Sequence, residues 1–451
     1  MLIKNLLYIF QAEQYVIARF LRYVYTHPYW WKLQKRGKVV WTAKVKALWV
    51  LSWALFAFAL LISLYLSGWR GVLIGIALLA LLPFIIVFAS LLLKPLDWYL
   101  KRQLLLRARQ LLEQKKPLIV GITGSYGKTT AKELAAAVLS EKFKVLKTPE
   151  NVNTNLGIAQ FVLANLRNHE VLVVEMAAHY PGDIERICWL TPPHYGMLTG
   201  INETHLERFG SLSAIVREKF VLPSRTKVFA ALNFDDARIR ANYHNFALGN
   251  FAGFSRQQVG QIKYRENFGG CEFEVAGEKF FTPLLAAHNI TLILLVVGIA
   301  RKMGLSTAQI KRGIAKVKPL PHRLQPIYNA TTNIWILDDS YNANPDGIRS
   351  GIEVLSRAQG RKIVLTPGIV ELGRLSAKIH RRIGKLYAAR TDLVLLIRSE
   401  AAEYIRQGME ESNFKNYKIY PSASAAHADL KNILRPGDTI IFQNDLPDIY
   451  A

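Results

Sequence analysis

The chain has 451 residues, a formal net charge of +25 and 51% hydrophobic residues. That length gives room for two or three domains with well-filled cores. Its two cysteines, Cys188 and Cys271, exclude a disulfide framework and stand in no metal-like cluster, so both read as small buried apolar residues of a reducing compartment.

The first quarter of the chain is basic, with 17 Lys/Arg in residues 1–116 against Glu13, Asp97 and Glu113. This excess frames two uncharged apolar runs, 47–69 and 71–93, each close to the ~20 residues that a bilayer-spanning helix needs. The turn Ser67-Gly-Trp-Arg-Gly71 joins them, so a helical hairpin is predicted, with Gly71 and Gly75 as a small-xxx-small pair through which hairpins could associate. Basic residues on both flanks put both ends, and everything after them, on the cytosolic side of a cytoplasmic membrane. The apolar run comes too late for a cleaved signal peptide. Tyr29, Trp30, Trp31 and Trp41 are expected at headgroup level. Because the basic residues cluster beside the spans, anionic lipid explains them better than nucleic acid does, and no nucleic-acid partner is expected. Trp98 to Leu112 reads as a separate amphipathic helix that connects the hairpin to the rest and holds it close under the bilayer.

The apolar run Pro117-Leu-Ile-Val120 then enters Gly121-Ile-Thr-Gly-Ser-Tyr-Gly-Lys-Thr-Thr130, and Ala131 to Leu139 reads as the following helix. A glycine-rich turn of this kind aims backbone N–H groups at a polyphosphate, its lysine reaches the outer phosphates, and its threonine hydroxyl completes a Mg²⁺ shell. The chain is therefore expected to handle ATP. Ile122 stands where the general pattern has glycine, so this is a variant loop.

Further on, the runs at 144–147, 171–175 and 195–199 alternate with helical stretches such as Asn155 to Leu163, which predicts a mainly parallel α/β sheet with its ligand at the carboxyl ends of the strands. Glu175 closes the most apolar of these strands, where a carboxylate could face the loop's metal. Glu203, His205 and Glu207 gather just past another strand, and Lys219 lies on a helix whose simplest reading is a solvated face. A second α/β unit follows Pro319-Leu-Pro-His-Arg323, with strands expected at 334–337, 362–365, 393–397 and 439–442. The first of these ends in Asp338-Asp-Ser-Tyr-Asn-Ala-Asn-Pro345. Asn344 there could simply cap a helix beginning at Pro345, whereas Asp338 and Asp339 invite a ligand.

Gly124-Ser-Tyr-Gly-Lys-Thr-Thr130, Thr148-Pro-Glu-Asn-Val-Asn-Thr-Asn-Leu-Gly157, Glu175-Met176, Thr204-His-Leu-Glu-Arg-Phe-Gly-Ser211, His288-Asn289, His322-Arg323 and Asp338 to Pro345 occur in one order. Together with Glu371-Leu-Gly373 this set resembles the Mur ligase family, and within it the members that add D-alanyl-D-alanine to a UDP-N-acetylmuramoyl peptide in peptidoglycan synthesis of the cell wall. With the membrane hairpin already read in 1–116, the resemblance implies an α/β architecture for the rest: a central P-loop ATP-binding domain in 117–322 and a Rossmann-like C-terminal domain in 323–451. It implies an ATP- and Mg²⁺-dependent, ADP-forming ligase that activates a carboxylate as an acyl phosphate and joins it to an amine. By motif position, Gly124, Gly127 and Thr130 would belong to the phosphate cradle, and Lys128 would hold the outer phosphates. Thr129 and Glu175 would hold one Mg²⁺, and His205 would help bind a second. Lys219 aligns with a lysine that family members carbamylate. Asn289 would face adenine, Arg323 the phosphates and Asp339 the ribose, with Asn342 and Asn344 toward the incoming amine.

Three departures accompany the resemblance. The hairpin stands where the family has a small soluble domain for the uridine nucleotide, which opens the choice between a UDP-linked and a lipid-linked substrate. Thr366-Pro-Gly368 replaces an expected Gly-Asp-Met, and the segment 437–447 lacks an expected Lys-Gly-Ser turn. A Mur-type ligase acting on another acidic polymer, a membrane P-loop motor or transport ATPase, and an inactive scaffold all stay open, as does the oligomeric state.

Overall fold

The computed structural model describes residues 2–13, 15–27, 29, 39–203, 206–341, 344–369 and 372–444, and the chain divides into two units, Met1–Leu106 and Arg107–Ala451.

In the first unit the helix Ala43–Ser67 is capped by Thr42, whose hydroxyl accepts from the Val45 N–H. Its 25 residues extend about 37 Å, enough for a hydrocarbon core. The chain reverses through Gly68 (φ +52°), Trp69 and Arg70, and Ser63 Oγ donates to the Gly71 carbonyl across the turn at 3.1 Å. A Cβ on Gly71 would lie 2.6 Å from the Ser63 carbonyl oxygen, and one on Gly75 would lie 2.5 Å from Leu60 Cδ1. Both glycines thus allow close approach within the hairpin itself. The second run is also not one helix: Gly71–Ala80 ends and Leu82–Lys115 begins around Leu81. Pro83 explains the break, since it lacks an N–H and its ring crowds the carbonyl four residues back. The connector expected as a separate helix is the continuation of Leu82–Lys115.

Inside this unit Val45, Leu48, Leu82, Ile86 and Ala89 pack with Ile3, Leu6, Leu7 and Phe10 of the helix Leu2–Ala12 and with Phe20 of Ile17–Thr26. Asp97 pairs with Lys44 at 3.2 Å and Lys101 at 2.7 Å. The outer faces, with Phe58, Leu61, Leu66, Leu73, Phe84 and Phe88, are exposed. Only 17% and 22% of the two apolar windows are buried, which leaves most of their apolar surface uncovered.

The second unit begins with residues 107–115, where Arg109 lies over the Trp189 ring at 4.7 Å and donates to its carbonyl at 3.0 Å. Six strands follow: β1 (Leu118–Thr123), β2 (Val145–Lys147), β3 (Val171–Glu175), β4 (Tyr195–Leu198), β5 (Phe229–Asn233) and β6 (Phe251–Phe254). They form a parallel sheet in the order β2-β3-β1-β4-β5-β6. The order reverses at β1, so the crevice at its carboxyl end is where such a sheet takes a ligand. Strand β3 is buried along its whole length, as its unbroken apolar run requires. A three-stranded antiparallel sheet of β7 (Lys263–Tyr264), β8 (Cys271–Val275) and β9 (Glu278–Thr282) covers part of this core, with Cys271, Phe273 and Val275 turned inward.

A second six-stranded sheet contains β10 (Gln325–Asn329), β11 (Ile334–Asp338), β12 (Lys362–Gly368), β13 (Leu393–Ile397), β14 (Tyr417–Tyr420) and β15 (Thr439–Asn444) in the order β10-β11-β15-β12-β13-β14. Only the edge strand β10 runs antiparallel. The four strands expected here form; β10 and β14 are additional.

Candidate active site

The phosphate loop leaves β1 and turns into the helix Lys128–Leu139. Two glycines permit it. Gly124 has φ +155°, and a Cβ there would lie 2.1 Å from Thr199 Oγ1; Gly127, at φ +75°, starts the helix. Thr123 Oγ1 donates to the Met176 carbonyl at 2.9 Å and Thr199 Oγ1 to the Thr123 carbonyl at 3.1 Å, so the ends of β3 and β4 clamp the loop from both sides. The first amides of the helix, from Lys128 through Thr130, have no partner inside it, which suits them to an anion. Lys128 Nζ folds back onto the Gly124 carbonyl at 2.8 Å. Burial holds this ammonium below the usual lysine range, Arg323 adds to the effect, and Glu175 opposes it.

Register places Glu175 beside Ile122, at the mouth of the loop. The Thr129 hydroxyl donates to Glu175 Oε2 at 3.1 Å, and Arg323 Nη2 donates to Thr129 Oγ1 at 3.2 Å. Lys132 Nζ stands 3.1 Å from the same Oε2. Glu175 is 4% exposed; its burial favours the neutral acid, yet Lys128, Lys132 and the Thr129 hydroxyl outweigh that and hold it below the usual carboxylate range. An ionised carboxylate beside a hydroxyl is a hard-oxygen donor pair. It fits Mg²⁺, which keeps several waters and takes its remaining ligands from phosphate. Among the described residues no three His, Cys, Asp or Glu side chains gather as a metal cage, so this pair leaves most of the coordination shell to a ligand.

A cavity of about 430 Å³ opens from the loop and is lined from both sheets, by Tyr126, Gly127 and Thr130, by Asn289, and by Arg323, Asp339 and Asn344. Asn289 lies in the first turn of the buried helix Ala287–Lys302. Next to it, burial drops His288 to about 4, and its Nδ1 lies 3.0 Å from Ser350 Oγ. Burial raises the Asp339 carboxyl to about 7, against the Leu324 N–H and Arg323, which favour its charged form. The Arg323 guanidinium lies 4.2 Å over the Tyr341 ring, and Tyr341 in turn donates to Asn151 Oδ1 at 2.6 Å. Asn344 Oδ1 caps the helix Pro345–Leu355 through the Gly347 N–H at 3.0 Å, so the plain capping role accounts for that oxygen and only the amide nitrogen is left for a ligand.

Lys219 corrects the solvated-face reading. It is 4% exposed on the helix Leu212–Arg225, and burial, then repulsion from Lys128, pull its ammonium down to about 7. The adjacent Glu218 is committed to backbone, accepting from the Gly182 and Ile184 N–H groups at 2.7 Å each. His205, Asn342 and Glu371 lie outside the described residues, and the Glu207 side chain is likewise not described. Glu203 pairs with Arg238.

Sequence reasoning passed over Lys132, and also Asp235 and Asp236, which lie just past the unforeseen strand β5. Asp236 accepts from the Tyr126 hydroxyl at 3.0 Å and the Ile201 N–H at 2.7 Å, fixing the loop tyrosine. Pairs of carboxylates just past a short apolar run were the available signal. The two departures near the C-terminus have structural roles: Thr366 Oγ1 accepts from the Gly368 N–H at 3.0 Å, and the buried Gln443 accepts from the Tyr387 hydroxyl at 3.0 Å and donates to the Ile348 carbonyl at 3.2 Å.

Residues 122–300 match the family model of the Mur ligase middle domain, and residues 322–443 match that of the Mur ligase, glutamate ligase domain. The UDP-N-acetylmuramoyl-tripeptide--D-alanyl-D-alanine ligase of Synechocystis sp. is 30% identical over 340 residues, 72% of this chain and 71% of that protein. The chain belongs to the Mur ligase family. The ligase of the same name from Treponema pallidum is 28% identical over 329 residues, covering 71% of this Mur ligase and 70% of the relative. Among solved structures, the MurF ligase of Thermotoga maritima in complex with ADP superposes with a TM-score of 0.68 at 28% identity, over 76% of this chain and 80% of that one. A pseudomurein peptide ligase type C from Methanothermus fervidus, at 19% identity and a TM-score of 0.58, shares the fold. Neither family model reaches the first 121 residues of this Mur ligase.

Proposed function

We propose that the chain is an ATP-dependent, ADP-forming peptide ligase that adds D-alanyl-D-alanine to a UDP-N-acetylmuramoyl peptide, working from a membrane anchor. The observation that carries this is the grouping of Lys128, Thr129, Glu175 and Arg323 at the phosphate loop, with Arg323 also lining the adjoining cavity together with Asn289 and Asp339. The working parts are a central domain at 117–322 and a C-terminal domain at 323–451.

In the first step an oxygen of the substrate carboxylate attacks the γ-phosphorus, the bond to ADP breaks, and an acyl phosphate forms. Both reactants are anions, so their approach requires positive charge already in place. Lys128 and Arg323 supply it, and the helix amides from Lys128 through Thr130 hold phosphate oxygens behind Gly124 and Gly127. Thr129 and Glu175 would hold Mg²⁺ and His205 would serve a second ion, supplying further neutralising charge when bound. Asn289 faces the base and Asp339 the ribose. In the second step the amine attacks the acyl carbon, phosphate leaves, and the amine proton is lost; Asn342 and the amide nitrogen of Asn344 orient this amine.

A fully buried lysine with its ammonium near 7 is partly neutral at physiological pH and open to CO₂. Carbamylation turns Lys219 from a cation that repels Lys128 into an anion that attracts it.

The apolar outer faces of 47–69 and 71–93 favour insertion in the cytoplasmic membrane as two spans, with the catalytic unit on the cytosolic side. The same faces support a second reading in which the acceptor is lipid-linked. Phosphate release by the full chain, measured with D-alanyl-D-alanine against other amines and with UDP-linked against lipid-linked peptides, tests both. Release that ignores D-alanyl-D-alanine would overturn the first reading, and release that ignores every amine would point to a plain ATPase.

A further inference from the structure

Lys132 has no task in the scheme above, yet it is the most deeply buried cation of the site. It lies one helical turn after Lys128 and is 0% exposed, on a helix whose Ala131, Leu134 and Ala135 are also buried. Its Nζ stands 3.1 Å from Glu175 Oε2 and donates to the Pro149 carbonyl at 3.3 Å. Burying an ammonium is costly even when it is paired, and an apolar side chain would fill this place more cheaply. Something other than packing keeps a lysine here.

The site holds two lysines and one carboxylate within reach of both. Glu175 attracts Lys128 electrostatically, but Lys128 Nζ bonds the Gly124 carbonyl at 2.8 Å. Glu175 Oε2 is already taken by Lys132 and by the Thr129 hydroxyl. We infer that Lys132 is a positioning residue: it occupies Glu175 so that the carboxylate does not capture Lys128, which stays at the loop mouth for the outer phosphates. Through the Pro149 carbonyl it also ties down the turn that carries Asn151, the acceptor for the Tyr341 hydroxyl.

The inference rests on the nucleotide reading of this site, and one binding experiment separates the two. ADP affinity of the purified full chain is measured by calorimetry, first with Mg²⁺ and then in EDTA, where the metal role of Glu175 is silent. In Lys132→Met the freed carboxylate pairs with Lys128, which nucleotide must then break, so metal-free ADP affinity falls about tenfold. In a Glu175→Gln background there is no carboxylate to capture Lys128, and adding Lys132→Met changes metal-free affinity by less than about twofold. If Lys132→Met does not fold, Lys132→Gln carries the same cycle, since its amide can still donate to Pro149 without the charge. Equal losses in both backgrounds mean a merely structural lysine and overturn the inference, as does unchanged affinity in the single variant. A wild-type chain that binds no ADP even with Mg²⁺ overturns the nucleotide reading itself.

Discussion

Replacing Lys219 by methionine separates the cost of burying an ammonium from the use made of it. The folded chain draws this group from 10.5 to about 7, first by burial and then by Lys128, while Glu218 and Asp183 act in the opposite sense. Between those two values the unfolded chain binds more protons than the folded one, so this lysine makes stability rise with pH across that window. Below about pH 7 both states are protonated and the whole penalty is present. At about 1.4 kcal/mol per tenfold change in proton affinity, the gap corresponds to roughly 5 kcal/mol as an upper bound. Lys219→Met is therefore more stable than wild type at neutral pH, and the difference shrinks steadily toward about pH 10. Denaturation of both proteins in CO₂-free buffer, from about pH 6 to about pH 10, measures it. Bicarbonate stabilises wild type alone, with a mass gain of one CO₂ on the peptide containing Lys219. The stabilised variant loses ligase activity by about 100-fold or more, a trade between stability and function. A wild-type minus variant difference that stays flat with pH would refute the burial argument.

Glu175→Gln removes the charge at the metal edge while keeping the shape, so ATP-dependent phosphate release falls about 100-fold and the Mg²⁺ concentration for half-activation rises. Asp339→Asn raises the KM for ATP about tenfold. Because the Asp339 carboxyl sits at about 7, the wild-type KM climbs as pH falls through that value, whereas the variant's KM stays level. Gly124→Ala forces a Cβ to 2.1 Å from Thr199 Oγ1 and abolishes ADP binding measured by calorimetry. A chain lacking residues 1–106 leaves the membrane fraction on sedimentation and keeps phosphate release with a UDP-linked acceptor within about threefold, since the second unit has its own core. Loss of that release in a folded truncated chain would favour the lipid-linked acceptor.

The elements legible in the sequence are those with one dominant cause. Strand β3 announces itself because burial on both faces demands an unbroken apolar run, and Glu175 is legible as the first charge after it. The hairpin is legible from length, although Pro83 also signals the break that interrupts its second arm. Strands β10 and β14 escape notice because both are sheet edges: Pro326 interrupts one, and Lys418 and Ile419 leave the other half solvated. Strand β5 hides because Ala230 and Ala231 carry little strand preference.

Lys132 and Lys219 are illegible for a deeper reason. A lysine on a helix reads as solvated by default, and only the tertiary fold shows that both are dry, within the electrostatic field of Lys128 or Glu175. Yet this surplus of buried positive charge is what the chemistry of the proposed ligase calls for. Lys128 and Lys132 both act on the ionised Glu175, Arg323 donates to Thr129 beside it, and Lys219 is close enough to repel Lys128, a concentration of positive charge that lowers stability. A polyphosphate, a substrate carboxylate and a carbamate at Lys219 each bring negative charge to that place, so binding relieves the imbalance. The local rule that reads lysine as surface fails at the point where the fold sacrifices stability to bring two anions together.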